Sequence, residues 1–237
     1  MEKNIELAIQ KEEEYIQRKV YQEDNTANIY DYLAEAGYNN IEEFREDKTI
    51  YLLKHQNYIV DEVPEIKEDC YVDKIKNKIP AFVYIIHSGN NFAFVPNTFD
   101  KDDILAEYNI IPARMNYEAK NGVIITSDGD LRVVLIMPDF IEIPQNYFLI
   151  KIRDYLSKYF DDVRIDNNDI MLNNKKVLGS GLKNENSMNV FMFQITFVDR
   201  SELIKKICTT SIKEPGFIDP NIVSPEQLKN EFLSWLQ

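Results

Sequence analysis

The apolar positions of this 237-residue chain change their period once, near Lys78. Before that point Ile5, Ile9, Ile16 and Val20 recur at helical spacing within residues 2–22, with charges on the other side, which predicts an amphipathic helix. A second short helix over 26–36 stops at Gly37. A third starts at Asn40, with Glu43 three residues on as a cap-like partner ahead of Phe44, Tyr51 and Leu52. Residues 61–78 are charged and poor in large apolar side chains, and read as a linker or an exposed helix.

After Lys78 the runs shorten to strand length. Strands are predicted at 81–87, 91–95, 110–115, 123–127 and 131–137, then at 169–172, 175–181 and 188–198. Asp128-Gly129 between two apolar runs reads as a hairpin turn, and Asn173-Asn174 supplies two residues that tolerate positive φ at another. Helices are predicted near 145–159, after Pro144 and with Tyr147, Ile150, Leu156 and Phe160 spaced for burial, at 201–207 and at 225–236. The expected fold is α+β, a mixed, mainly antiparallel sheet flanked by helices, with a helical N-terminal appendage. Residues 1–78 form the helical region and linker, and residues 79–237 the catalytic-size domain.

A hydrophobic content of 44% suits one substantial core plus a small appendage. The net charge of -13 argues against a nucleic-acid partner, whose phosphates need clustered Lys and Arg. No run approaches the roughly 18 apolar residues of a membrane helix, and the opening is too charged for a secretory signal, so the expected setting is cytoplasmic without membrane attachment. Cys70 and Cys208 match no disulfide or metal spacing. His55 and His87 lack a second ligand nearby, and each reads as structural.

The segment Asn168 to Gly181, NDIMLNNKKVLGSG, resembles the signature of the biotin/lipoate protein ligase catalytic domain family, in which Asn-Asp and an apolar run precede Lys-Lys and a closing Gly-Ser. The resemblance implies that Lys176 stands at the catalytic lysine. Asn168 and Asp169 then stand where the phosphate and its Mg²⁺ are organised, with Asp169 the metal-side carboxylate and Gly179 and Ser180 closing the motif. A fixed ammonium there offsets charge that develops as a carboxylate becomes an acyl-phosphate and then an amide.

Upstream, residues 110–128 resemble the family's glycine-rich ligand loop, with Arg114, Gly122 and Asp128 at matching positions. Lys120 and Asn121 stand within the glycine run, and Thr126 replaces a histidine. Side chains at such positions obstruct the close approach of backbone amides to an anion unless the loop is rebuilt. Residues 209–217 and the helix from Pro225 resemble the family's closing strand and helix, after which the resemblance predicts no counterpart of the further C-terminal domain of full lipoate ligases.

Cys208 lies downstream of Lys176 at a distance similar to that of the cysteine nucleophile in the superfamily's octanoyl transferases. Three readings stay open. The first is a lipoate, octanoate or biotin protein ligase that uses ATP and Mg²⁺ to acylate a lysine on a lipoyl- or biotinyl-type carrier domain. The second is an acyltransferase using Cys208 and Lys176 without such cofactors. The third is a non-catalytic binding or structural protein of the same fold.

Overall fold

The computed structural model describes residues 2–55, 57–62, 71–86, 91–115, 123–139, 147–208 and 213–236. Gly122, Lys120, Asn121, Cys70 and His87 lie outside them. The chain forms two compact units, one chiefly Met1–Asn57 and the other chiefly Tyr58–Asp139 with Asn146–Trp235.

The first unit is helical. Helix α1, Ile5–Ile16, starts where the Asn4 side chain accepts the Leu7 N–H at 3.0 Å, and it runs into a π-helical turn, Gln17–Tyr21. That turn changes the helical phase; Val20 and Tyr21 within it are exposed, as is Ile16 just before it. Helices α2, Ile29–Glu35, and α3, Ile41–His55, are the two others expected. Ala8, Leu33, Ala36, Tyr38 and Phe44 form their shared core. Gly37 separates α2 from α3 at φ +87°, and an added Cβ would stand 2.9 Å from the Glu2 carbonyl.

The second unit is built on a seven-stranded sheet and a three-stranded one. In chain order its strands are β1 Ile59–Glu62, β2 Ala81–Ile86, β3 Asn91–Pro96, β4 Ile110–Met115, β5 Ile124–Thr126, β6 Leu131–Pro138, β7 Val163–Asp166, β8 Asp169–Leu172, β9 Lys175–Glu185 and β10 Met188–Ile195. Its helices are α4 Val72–Lys76, α5 Asp102–Glu107, α6 Tyr147–Leu156, α7 Ser201–Ile207 and α8 Pro225–Trp235. The large sheet has the order β1-β2-β6-β10-β9-β8-β7, and the small one β4-β3-β5. Only the β1–β2 and β3–β4 pairings are parallel among the described strands, so the sheets are mixed and mainly antiparallel, as expected.

Two local readings change. Asp128-Gly129 is a turn, with Gly129 at φ +88°, but not a hairpin: β5 pairs with β3, whereas β6 pairs with β2 and β10. The turn carries the chain from one sheet to the other. It is fastened by buried Asp130, whose carboxylate accepts the backbone N–H of Ser127 at 3.1 Å and of Phe197 at 2.9 Å and pairs with Arg200 at 2.6 Å. Within 61–78, α4 buries Ile75 against β2, β6 and β10, so its apolar side is part of the core rather than exposed.

The true hairpins sit at asparagines with positive φ: Asn167 between β7 and β8, Asn173-Asn174 between β8 and β9, and Asn186-Ser187 between β9 and β10. One face of the large sheet is covered by α6 and α8, where Phe148 and Phe232 pack against Phe82, Phe191 and Phe193. The opposite face carries Val83, Val134 and Val190 against α4 at one end. At the other end Ile85 meets Phe94 of the small sheet.

Candidate functional site

The motif at 168–181 folds as β8, a two-asparagine turn and the first half of β9. A register shift at Ile170/Met171 opposes Ile170 to Leu178 but Met171 to Lys176, which leaves Val177 as the extra residue of a β-bulge. A bulge breaks the strict alternation of side chains and can re-aim one of them. Here the Lys176 ammonium reaches the same face as Asp169 and Gly179, which are direct cross-strand partners.

Lys176 Nζ lies 2.9 Å from Asp169 Oδ1, and Asp169 Oδ2 takes Lys213 Nζ at 2.8 Å. Lys213 also bonds to the Asp166 carbonyl at 2.8 Å and pairs with its carboxylate at 3.1 Å. Asp169 is mostly buried at 15% exposure, while Lys176 keeps 41%, so the carboxylate is a fixed anchor and the lysine tip faces open space. Burial lowers the basicity of Lys213, but its bonds to Asp169 and Asp166 outweigh that and hold it above the ordinary lysine range.

Lys213 reaches this cluster because residues 213–216 run beside β9. The Lys176 N–H donates to the Glu214 carbonyl at 2.7 Å, and the Lys176 carbonyl accepts the Gly216 N–H at 2.8 Å. An added Cβ on Gly216 would lie 2.6 Å from Lys175 Cβ, so only glycine permits this approach. Gly179 serves the lysine tip: an added Cβ there would meet Lys176 Cε and Nζ at 3.2 Å. Ser180 ties the motif's ends together, donating from its N–H at 3.0 Å and its hydroxyl at 2.7 Å to the Asn168 carbonyl.

The structure therefore brings together Lys176, Asp169, Asn168, Gly179 and Ser180. Arg114 lies elsewhere, on β4 of the small sheet. Its guanidinium pairs with Asp102 and donates to the Phe99 carbonyl at 2.7 Å. Thr126, on β5, is buried with a hydroxyl that has no hydrogen-bond partner among the described residues. Cys208 follows α7 and packs in the cluster of Ala93, Val95, Leu105 and Leu203. Burial pushes its thiol up, and Lys101 only partly opposes this. Sequence reasoning missed Lys213 and Asp166. Lys213 is 44 positions from its partner Asp169 in the chain, and the strand-like return of 213–216 beside Lys176 brings it there.

A divalent cation does not fit the cluster in this geometry. Both oxygens of Asp169 are taken by ammonium groups, and the described residues hold no group of three His, Cys, Asp or Glu side chains able to share a metal. The Lys176 tip, partly exposed and held through Asp169, suits an anionic ligand instead.

No family model and no curated protein matches the sequence. Solved structures do match. P. falciparum LipL1 in complex with lipoate aligns at a TM-score of 0.57 and 14% identity over 76% of this chain, although the match spans 59% of that protein's chain, under two thirds of it. A bi-partite lipoate protein ligase with its E2 lipoyl domain from Thermoplasma acidophilum aligns at 0.53 and 13% identity, over 76% of this chain and 82% of that one. Lipoate-protein ligase A bound with ATP aligns at 0.53 and 13%, over 76% and 84%. The chain thus carries the fold of the lipoate-protein ligases, the fold that the motif at 168–181 implies.

Proposed function

We propose that the protein is an acyl-protein ligase of the lipoate type, which activates a small carboxylic acid with ATP and passes the acyl group to a lysine of a lipoyl-type carrier domain. The observation that carries this reading is the Lys176 ammonium, fixed by Asp169 and laid over Gly179. The structural neighbours support it with lipoate, ATP and a lipoyl domain as their own ligands and partner.

In the first step a carboxylate oxygen attacks the α-phosphorus, an O–P bond forms and pyrophosphate leaves. In the second the carrier amine attacks the acyl carbon, AMP departs and the amine proton is released to solvent. Lys176 offsets the negative charge that grows on phosphoryl and acyl oxygens, an effect that is strongest where the cation is already in place. Asp169 holds Lys176 still, and Lys213 holds Asp169 from its other oxygen. Each Asp169 oxygen is engaged by a lysine rather than left for a metal.

Pyrophosphate release with lipoate, octanoate or biotin tests the proposal. The wild type should turn over with one of the acids, and Lys176→Ala should fall by orders of magnitude with an unchanged melting curve. Equal rates in the two proteins would remove Lys176 from the chemistry.

A further inference from the structure

One row of residues crosses the large sheet in register. Ile85 of β2 opposes Arg132 of β6, Arg132 opposes Gln194 of β10, Gln194 opposes Gly179 of β9, and Gly179 opposes Asp169 of β8. Directly opposed residues in antiparallel strands share a face. The row is therefore a polar stripe that runs from Asp169 and Lys176 inward to Arg132, on the face that meets the small sheet through Ile85 and Phe94.

The inner half of this stripe is unsatisfied. Arg132 is 7% exposed, yet among the described residues its guanidinium has only the Phe94 ring, 4.9 Å from its centroid, and the Met192 sulfur at 3.7 Å. No carboxylate or carbonyl among the described residues is bonded to it. Beside it both the amide nitrogen and the amide oxygen of Gln194 are buried without a hydrogen-bond partner among the described residues. Thr126, on the small-sheet strand whose Ile124 packs with Ile85 and Phe94, adds a third buried polar group with none. A buried cation without a counter-charge is costly, and buried amides are nearly always bonded. Arg200 shows how this fold handles a structural arginine, pairing it with Asp130.

We propose that Arg132 and Gln194 form a seat for the oxyanion of a small ligand, a carboxylate or a phosphate group, held by the planar guanidinium fork and the Gln194 amide. Gln194 stands beside Gly179, and Arg132 lies one strand further, about 10 Å along the sheet from Gly179, so the guanidinium end of the seat is distinct from the Lys176–Asp169 pair. The inference shares a sheet face with the acyl-ligase reading but does not need its chemistry. A protein that binds anions here without activating any acid would keep this inference and lose that reading.

The test uses full-length wild type, Arg132→Met, Arg132→Lys and Gln194→Leu, each titrated calorimetrically with octanoate, ATP and inorganic phosphate, and each melted without ligand. Methionine matches the length of the arginine stem and packs well on an aromatic ring, so it removes the cation without opening a cavity. At least one probe should bind the wild type, weaken tenfold or more in Arg132→Met, and weaken less in Arg132→Lys, which keeps the charge but not the fork. Loss of octanoate identifies an acyl carboxylate as the occupant, and loss of ATP or phosphate identifies a phosphoryl group. The ligand-free melting temperature of Arg132→Met should rise, because an unpaired buried charge has gone. Undiminished binding in Arg132→Met, no binding of any probe to wild type, or a ligand-free Arg132→Met that melts lower or does not fold would each overturn the proposal.

Discussion

Replacing Gly179 with alanine separates the position of the Lys176 ammonium from the stability of the sheet that carries it. The new methyl would stand 3.2 Å from both Lys176 Cε and Nζ and 3.6 Å from Asp169 Oδ1. Carbon contacts settle at about 3.5–4.0 Å, so the lysine tip must yield by roughly 0.3–0.8 Å. Gly179 is not at positive φ, and its replacement restricts the unfolded chain, a gain of about 0.4–1 kcal/mol. The flexible lysine end absorbs the crowding, so stability should stay level or rise slightly. Activity should not. A misplacement of about 1 Å costs on the order of 100-fold, so a shift of half that size should cost on the order of tenfold in the rate of acid activation. Urea denaturation and single-turnover pyrophosphate release on the same preparations measure the two effects. A Gly179→Ala protein with wild-type rate would show that the ammonium over Gly179 has no part in the chemistry. A loss of stability beyond about 1 kcal/mol would show that the glycine is there for the sheet.

Asp130→Ala should destabilise the second unit by about 3–5 kcal/mol in urea denaturation, because it leaves the Arg200 guanidinium buried without its partner. A cost below about 1 kcal/mol would mean that Arg200 finds water or another acceptor. In a Cys70→Ser background, Cys208 should alkylate more slowly at pH 7.5 than a free thiol, and its rate should climb only as the pH passes the ordinary thiol value. Burial favours the protonated form, so the thiolate fraction at neutral pH is depressed. Fast labelling at pH 7 would point instead to an activated nucleophile.

The sheet and the motif could be read from the chain because both depend on local pattern. Alternating runs set the strands, and Asn173-Asn174 announced its own turn through the side chains that tolerate positive φ. Asp128-Gly129 used the same turn chemistry to join strands of different sheets, and only the pairing partners distinguish the two cases. Strand β1 was missed because four residues ending in Asp and Glu look like loop, and they become a strand only by adding to the edge of β2. The site was half visible. Lys176, Asp169 and Ser180 lie within one motif, whereas Lys213 depends on a chain return that a glycine at 216 allows. Arg132 passed as one charge within an apolar strand. Its unpaired burial is a property of tertiary packing, and so is that of Gln194.

The central claim, that this fold uses Lys176 to activate an acid and load a carrier domain, meets its most direct test in the intact mass of that domain. A purified lipoyl domain is incubated with the protein, ATP and lipoate, and again with Lys176→Ala. The account predicts a mass gain of one lipoyl group per domain that requires ATP, with loss of that gain in the variant. An unmodified domain after long incubation with wild type, or equal modification by wild type and variant, would contradict it.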